Sequence, residues 1–323
     1  MKVTSIIRPF KPEDYQAIAD VYKAAVPKYP VSAEEMQHDD NHYRAAHCKC
    51  QRWVAEADGR IVGVGEYAQR ADRFHPRKFG IEGYVHPLYQ GKRIGAALYT
   101  QVITALQVFE PLYCLCSIEE DNQRSVRFLT DRGLQEVNRS WTSRLDITEF
   151  DLASYANVED KLRTSGIEIK TYKELECDPE RNRKLYELNW ECRQDMPSVN
   201  APTPIAFEQF VSSRLSGPDF VPDAYFIAVY NNQYVGCSDL CDGTIEGKII
   251  RTGFTGVARV HRGKGIAMAL KLRGIAYAQQ KGFESVETTN SSVNRPMLAI
   301  NERLDFAKQP AIITYKKIFS EEE

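Results

Sequence analysis

Apolar positions recur at strand and helix spacings in an order that the chain runs through twice. Ser5 to Phe10 reads as a strand. Lys11 to Val26 reads as a helix, with Pro12 in its first turn and Tyr15, Ile18, Ala19 and Tyr22 on one side. A polar, His-rich helix follows over Ser32 to Ala45. Trp53-Val54-Ala55 and Ile61-Val62-Gly63-Val64 flank Asp58-Gly59, so Arg52 to Tyr67 is predicted to be a hairpin. A strand over Phe79 to Val85 then leads through a glycine loop into a helix bearing Ile94, Leu98, Val102 and Leu106. Leu112 to Ser117 reads as a strand, Gln123 to Arg132 as a helix, and the stretch to Ile147 as strand.

After a polar stretch near 150–165 the order restarts. It gives a strand at Ile167 to Tyr172, a helix at Arg181 to Arg193, a proline-rich segment to Pro204 and a helix at Ile205 to Leu215. Strands at Tyr225 to Tyr230 and Tyr234 to Cys237 flank Asn231-Asn232. Lys248 to Val257 is the strand before a second glycine loop and its helix, and strand 286–289, helix 296–303 and strand 312–318 close the chain. The pattern predicts an α/β (α+β) fold in two tandem domains, each a mixed, mostly antiparallel sheet flanked by helices. The expected boundaries are 1–150, a linker at 151–165, and 166–323.

The repeat extends to chemistry. Arg262-Gly263-Lys264-Gly265-Ile266-Ala267 opens the second copy's long helix, and Gln90-Gly91-Lys92-Arg93-Ile94-Gly95 stands 172 positions earlier. Asn294 follows Arg262 by 32 residues, as Asn122 follows Gln90. A loop that runs from a strand into a helix leaves backbone N–H groups unpaired, where the helix dipole adds positive potential. Such a site favours phosphate. Gly263 and Gly265 let the backbone approach a diphosphate, with Arg262 and Lys264 expected to add charged donors; in the first copy Arg93 places a side chain where Gly265 has none. The third glycine of a dinucleotide fingerprint is missing. No Ser or Thr follows Lys264 to hold magnesium, which excludes a nucleoside-triphosphate loop.

Composition narrows the partners. The 323 residues are 43% hydrophobic and 27% charged, enough for two cores. A net charge of -2 predicts no nucleic-acid or anionic-membrane partner. The N-terminus lacks a signal-peptide segment, no run is long enough to span a bilayer, and a cytoplasmic location is expected. The eight cysteines then read as reduced thiols, with Cys114 and Cys116 in the core. His38, His42, His47, Cys48 and Cys50 are the one metal-like group, but they straddle a helix-to-strand boundary without a second Cys pair. No metal is expected.

Val85 to Gly95 resembles the coenzyme A loop of the GNAT acyltransferase superfamily, and Arg262 to Ala267 matches every position of that pattern. Arg93 departs from it. Thr255-Gly256-Val257, Ala269-Leu270-Lys271 and the stretch from Thr289-Asn290 to Asn301 look like the C-terminal half of tandem GNAT proteins related to mycothiol synthase. The resemblance spans the chain. It implies an acetyl-coenzyme A-dependent N-acyltransferase whose second domain is catalytic and whose first has a degenerate loop. It further implies that the diphosphate rests on the backbone of Arg262, Gly263, Lys264, Gly265, Ile266 and Ala267, and, in the first copy, of Gln90, Gly91, Lys92, Arg93, Ile94 and Gly95. Val257 and Val85 would offer an N–H to the thioester carbonyl, and Asn294 and Asn122 would touch the pantetheine arm.

Seven residues beyond those asparagines many members carry a Tyr that protonates the departing thiolate; here stand Asn301 and Leu129. Asn301 donates a hydrogen bond but does not titrate. An ammonium of pKa 10.4 costs about 4.6 kcal/mol to deprotonate at pH 7, which calls for a base. The resemblance supplies none, because Arg251 and Phe79 hold the family position. Asp239 and Asp195 are the second copy's candidates and Glu82 the first's. The expected acceptor is a primary amine on a small molecule, with the protein a monomer or homodimer. The competing readings are a non-catalytic acyl-coenzyme A sensor and an aminoglycoside-like antibiotic acetyltransferase. The segment Arg193 to Pro204 is expected to border the acceptor pocket.

Overall fold

The computed structural model describes residues 5–28, 30–217, 219–241 and 248–320. The start of the expected leaderless N-terminus, residues 1–4, lies outside them. The chain folds into two compact units, one of residues 1–138 with 312–323 and one of residues 139–311. Each repeats the predicted order.

In the first unit β1 (Ile6–Pro9), β2 (Cys50–Ala57), β3 (Arg60–Ala68) and β4 (Lys78–Val85) form an antiparallel run. β5 (Tyr113–Glu119) then pairs with β4 in parallel, over Lys78 to Gly80 only. Beyond Gly80 the two strands part. Helices α1 (Tyr15–Ala25) and α2 (Ala33–Ala45) pack Tyr15, Ile18 and Met36 against Val54 and Val64. Ser32 caps α2 reciprocally with Glu35 in a capping box. Helix α3 (Ile94–Leu106) buries Ile94, Leu98, Val102 and Leu106 against the sheet, each worth roughly 1.5 to 3 kcal/mol of transfer free energy. Helix α4 (Gln123–Thr130) follows β5.

The second unit repeats this. β7 (Ile167–Thr171), β8 (Tyr225–Tyr230), β9 (Gln233–Cys241) and β10 (Ile249–Val257) run antiparallel. β11 (Ser285–Ser291) pairs with β10 in parallel over Ile249 to Arg251 only. Helices α6 (Arg181–Gln194) and α7 (Phe207–Arg214) precede β8, α8 (Ile266–Gln280) follows the second loop, and α9 (Arg295–Arg303) follows β11. Helix α8 buries Ile266, Leu270 and Ile275 in the largest core of this unit.

Two features differ from the pattern-based expectation. The 151–165 stretch is not a bare connector: α5 (Ala156–Thr164) buries Leu162 in the second unit's core. Its polar faces obscured the period. In addition, the closing strands are exchanged in sequence. β6 (Gln135–Asp146) gives residues 140–146 to the second unit beside β11, and β12 (Ala307–Ile318) gives residues 312–318 to the first unit beside β5. The sheets are therefore completed by segments that a cut at residue 150 misassigns. Among the described residues no helix is long and apolar enough to cross a membrane.

Candidate active site

Each glycine loop enters its helix through a left-handed turn. Gly263 and Gly265 have φ of 76° and 85°, and a Cβ built on either meets nothing within 4 Å. Gly265 is the N-cap of α8, and Ala269 N–H donates to the Gly265 carbonyl across the junction. The amides before it point outward from the helix end. In the first unit Gly91 and Arg93 take φ of 78° and 66°. Arg93 thus takes the same left-handed turn as Gly265, with its side chain exposed. A left-handed non-glycine residue costs about 1 to 2 kcal/mol. Arg93→Gly is therefore expected to raise the melting temperature by a few degrees; an unchanged or lower value in a thermal melt would contradict this strain.

The first loop residue latches the loop. Arg262 Nε donates to the Val257 carbonyl at 3.0 Å, and Gln90 Nε2 donates to the Val85 carbonyl at 3.1 Å. Arg262 also pairs with Asp195 at 2.8 Å, and Arg259 pairs with the same carboxylate at 2.7 Å. The Arg262 side chain thus faces Val257 and Asp195. The two guanidinium groups hold the Asp195 carboxyl at about 2, and these contacts tie the loop to the end of α6.

The parting strands expose a backbone donor. Ala258 N–H bonds the Val235 carbonyl at 2.9 Å, and Val257 lies opposite Gly236. By the alternation of an antiparallel ladder, Val257 N–H points away from β9, toward the side where β10 has left β11. The same holds for Val85, since His86 N–H bonds the Val62 carbonyl. A cavity of about 700 Å³ occupies the opening in the second unit, lined by Thr252 to Val257 on one side and Thr288 to Asn290 on the other. Gly263, Gly265 and Ile266 close its loop end, and Met196 and Pro197 also line it. The first unit has a counterpart of about 390 Å³.

Asn294 and Asn122 line these cavities and cap α9 and α4, accepting from Met297 N–H at 3.5 Å and Ser125 N–H at 3.1 Å. Capping uses the side-chain oxygen, and the amide nitrogen remains a donor. Asn301 does not line the cavity. It is buried in α9, where its Nδ2 donates to Asn290 Oδ1 at 2.8 Å.

Asp239 on β9 is where the sequence supplied least and the tertiary structure most. β10 carries one extra residue between Thr252 and Thr255, a β-bulge, and the Asp239 carboxylate accepts from the bulged Phe254 N–H at 2.8 Å. A Cβ at Gly253 would fall 2.1 Å from Asp239 Oδ2. Gly253 lines the cavity, so the carboxylate fills the space that a side chain at 253 would take. Loss of solvation pushes the Asp239 carboxyl up to about 6, against the Phe254 N–H, which favours the anion. In the first unit Glu82 lines the cavity, accepts from Tyr84 Oη at 2.9 Å and stands opposite Glu66. Desolvation, then Glu66, pushes it up to about 6.

His38 and His42 meet at a tilt, ring centroids 4.3 Å apart, and among the described residues no group of three His, Cys, Asp or Glu side chains is placed to hold a metal ion. The eight cysteines are free, and burial pushes the Cys114 and Cys116 thiols up to about 12.

The profile of the Acetyltransferase (GNAT) family matches residues 18–134 and 181–306. A tandem GNAT protein from the clavulanic acid biosynthesis pathway is 18% identical, with a TM-score of 0.74 over 99% of this chain and 100% of that one. A GCN5-related N-acetyltransferase from Sphaerobacter thermophilus is 21% identical, with a TM-score of 0.67 over 97% and 95%. A putative acetyltransferase from Pyrococcus horikoshii is 13% identical, with a TM-score of 0.55 over 99% and 91%. No curated protein matches the sequence. At these identities the structures speak for the fold, and the two matched regions, one in each unit with its own loop, carry the assignment: the chain belongs to the GNAT acetyltransferase family, as a tandem of two such domains.

Proposed function

We propose that the protein transfers the acetyl group of acetyl-coenzyme A to the primary amine of a small molecule by direct attack, in its second unit. The observation that carries this reading is the opening beside β10, which joins an anion-accepting loop and an outward backbone donor at Val257, and whose lining residue Gly253 packs against the desolvated Asp239 carboxylate. The coenzyme is a substrate here. Its diphosphate would lie on the amides from Gly263 to Ala267, with Lys264 beside it, and its thioester carbonyl would accept from Val257 N–H. Asp239, directly or through one water, takes the proton of the attacking ammonium. A carboxyl near 6 is mostly ionised at neutral pH and is a stronger base than an ordinary aspartate. Met196 and Pro197, from the segment expected to border the acceptor, support an amine entering from that side.

A second reading concerns the first unit. The retained left-handed turn at Arg93 and the cavity bearing Glu82 support coenzyme binding there too. The test is thiol release from acetyl-coenzyme A with a panel of amines, aminoglycosides included, paired with calorimetric titration of the coenzyme. Release with a small amine is the expected result. Tight binding without release from any amine would instead favour a sensor, and a stoichiometry of two would support both cavities.

A further inference from the structure

Helix α8 buries a lysine that nothing in the second unit's fold requires. Lys271 is 4% exposed, and its Nζ has no hydrogen-bond partner among the described residues. It lies 5.2 Å from the centre of the Phe306 ring. An unpaired buried ammonium is among the most costly groups a core can hold, and a methionine of similar length would carry no such penalty. The equivalent position in the first unit is Tyr99, whose hydroxyl is also buried without a partner.

A second unsatisfied atom belongs to the same layer. Asn301 is 2% exposed, and its Oδ1 likewise lacks a partner among the described residues. Its backbone carbonyl accepts from Phe306 N–H at 3.0 Å, so one residue, Phe306, touches both Lys271 and Asn301. From Asn301 the amide Nδ2 reaches Asn290 Oδ1, and Asn290 lines the cavity. Lys271 stands three and four residues beyond Met268 and Ala267, which line it too, and residues so spaced share a helix face. A costly cation and a half-satisfied amide pair thus lie behind the floor of the opening. Rules of core composition are broken in this way chiefly where function compensates.

Resting on the acyl-transfer reading, we propose that Asn290 donates a hydrogen bond to the departing coenzyme thiolate, with Asn301 and Lys271 as its positioning and electrostatic support. Because Asn301 occupies Asn290 Oδ1, the Asn290 Nδ2 hydrogens are left to face the cavity. With the ammonium proton already on Asp239, the amine nitrogen bonds to the acyl carbon, the carbon–sulfur bond breaks with its electron pair going to sulfur, and the nitrogen's second proton leaves to water. The sulfur leaves as an anion and takes its proton from water afterwards. Asn290 meets that charge directly, and the Lys271 ammonium meets it through a low-dielectric layer where a single charge acts strongly. Burial alone acts on this lysine, and no carboxylate pairs with it among the described residues.

The experiment compares the full chain with Asn290→Ala, Asn301→Leu, Lys271→Met and Lys271→Arg in steady-state thiol release, with thermal melts of each. For Asn290→Ala, Asn301→Leu and Lys271→Met the expected result is a fall in kcat of about tenfold or more, with KM for acetyl-coenzyme A within about twofold. Lys271→Arg should recover most of the rate. Lys271→Met should melt at or above the wild-type temperature, which separates lost rate from lost fold. Wild-type turnover with kcat unchanged in well-folded Asn290→Ala and Lys271→Met would overturn the proposal alone. No turnover by the wild type with any amine would overturn the acyl-transfer reading and this proposal with it.

Discussion

Asp239→Asn lowers kcat for acetyl transfer by about 10²- to 10⁴-fold, the range over which a positioned general base acts. The substitution is nearly isosteric, and the amide oxygen still accepts from Phe254 N–H, so the bulge is retained. The pH profile separates a base from a structural carboxylate. Asp239 works ionised, so the wild-type rate falls as pH drops through about 6, and the variant lacks that acid limb. The stability consequence has the opposite sign. Since folding raises this carboxyl from its ordinary value near 4, the ionised form is disfavoured in the fold. Its stabilising, protonated state is lost as pH rises from about 4 through 6. At pH 7 the Asn variant should therefore melt no lower than the wild type. A retained acid limb in Asp239→Asn would assign the base elsewhere.

Gly265→Glu weakens acetyl-coenzyme A binding by about 10³-fold or more. Two penalties combine. A Cβ at φ 85° costs about 1 to 2 kcal/mol of backbone strain, and a carboxylate some 5 Å from a diphosphate adds roughly 3 kcal/mol of repulsion per charge at an effective dielectric near 20. Gly265→Arg isolates the first, because Arg93 already occupies the equivalent turn at φ 66°. The arginine variant should bind within about tenfold of wild type. Calorimetric titration of the coenzyme distinguishes the outcomes: equal losses for Glu and Arg would mean that the turn's shape, rather than its field, is what the ligand needs. Wild-type affinity in the Glu variant would put the diphosphate elsewhere.

The loops were legible because their requirement is local. Gly263 and Gly265 declare a left-handed turn by residue type alone, and the apolar stripe from Ile266 declares the helix behind it. Arg93 is less legible: arginine does not favour a left-handed turn by residue type, yet it takes φ of 66° there. Asp195 and Arg262 were legible as charges but not as partners, since a contact between positions 67 residues apart leaves no periodic trace. Nor does a bulge: one extra residue in β10 shifts every later contact with β9, and so decides that Gly253 faces Asp239.

What the sequence by itself determined is the repeated α/β order and the two loops. Each follows from nearest-neighbour chemistry: alternation, helical period, turn glycines and composition. Only the tertiary structure decided that β6 and β12 complete the opposite units, that Asp239 sits desolvated behind a glycine, and that Lys271 is enclosed without a partner. Strand pairing, desolvation and the satisfaction of buried polar atoms are properties of residues far apart in sequence that share one small volume, and that volume exists only once the sheet has closed.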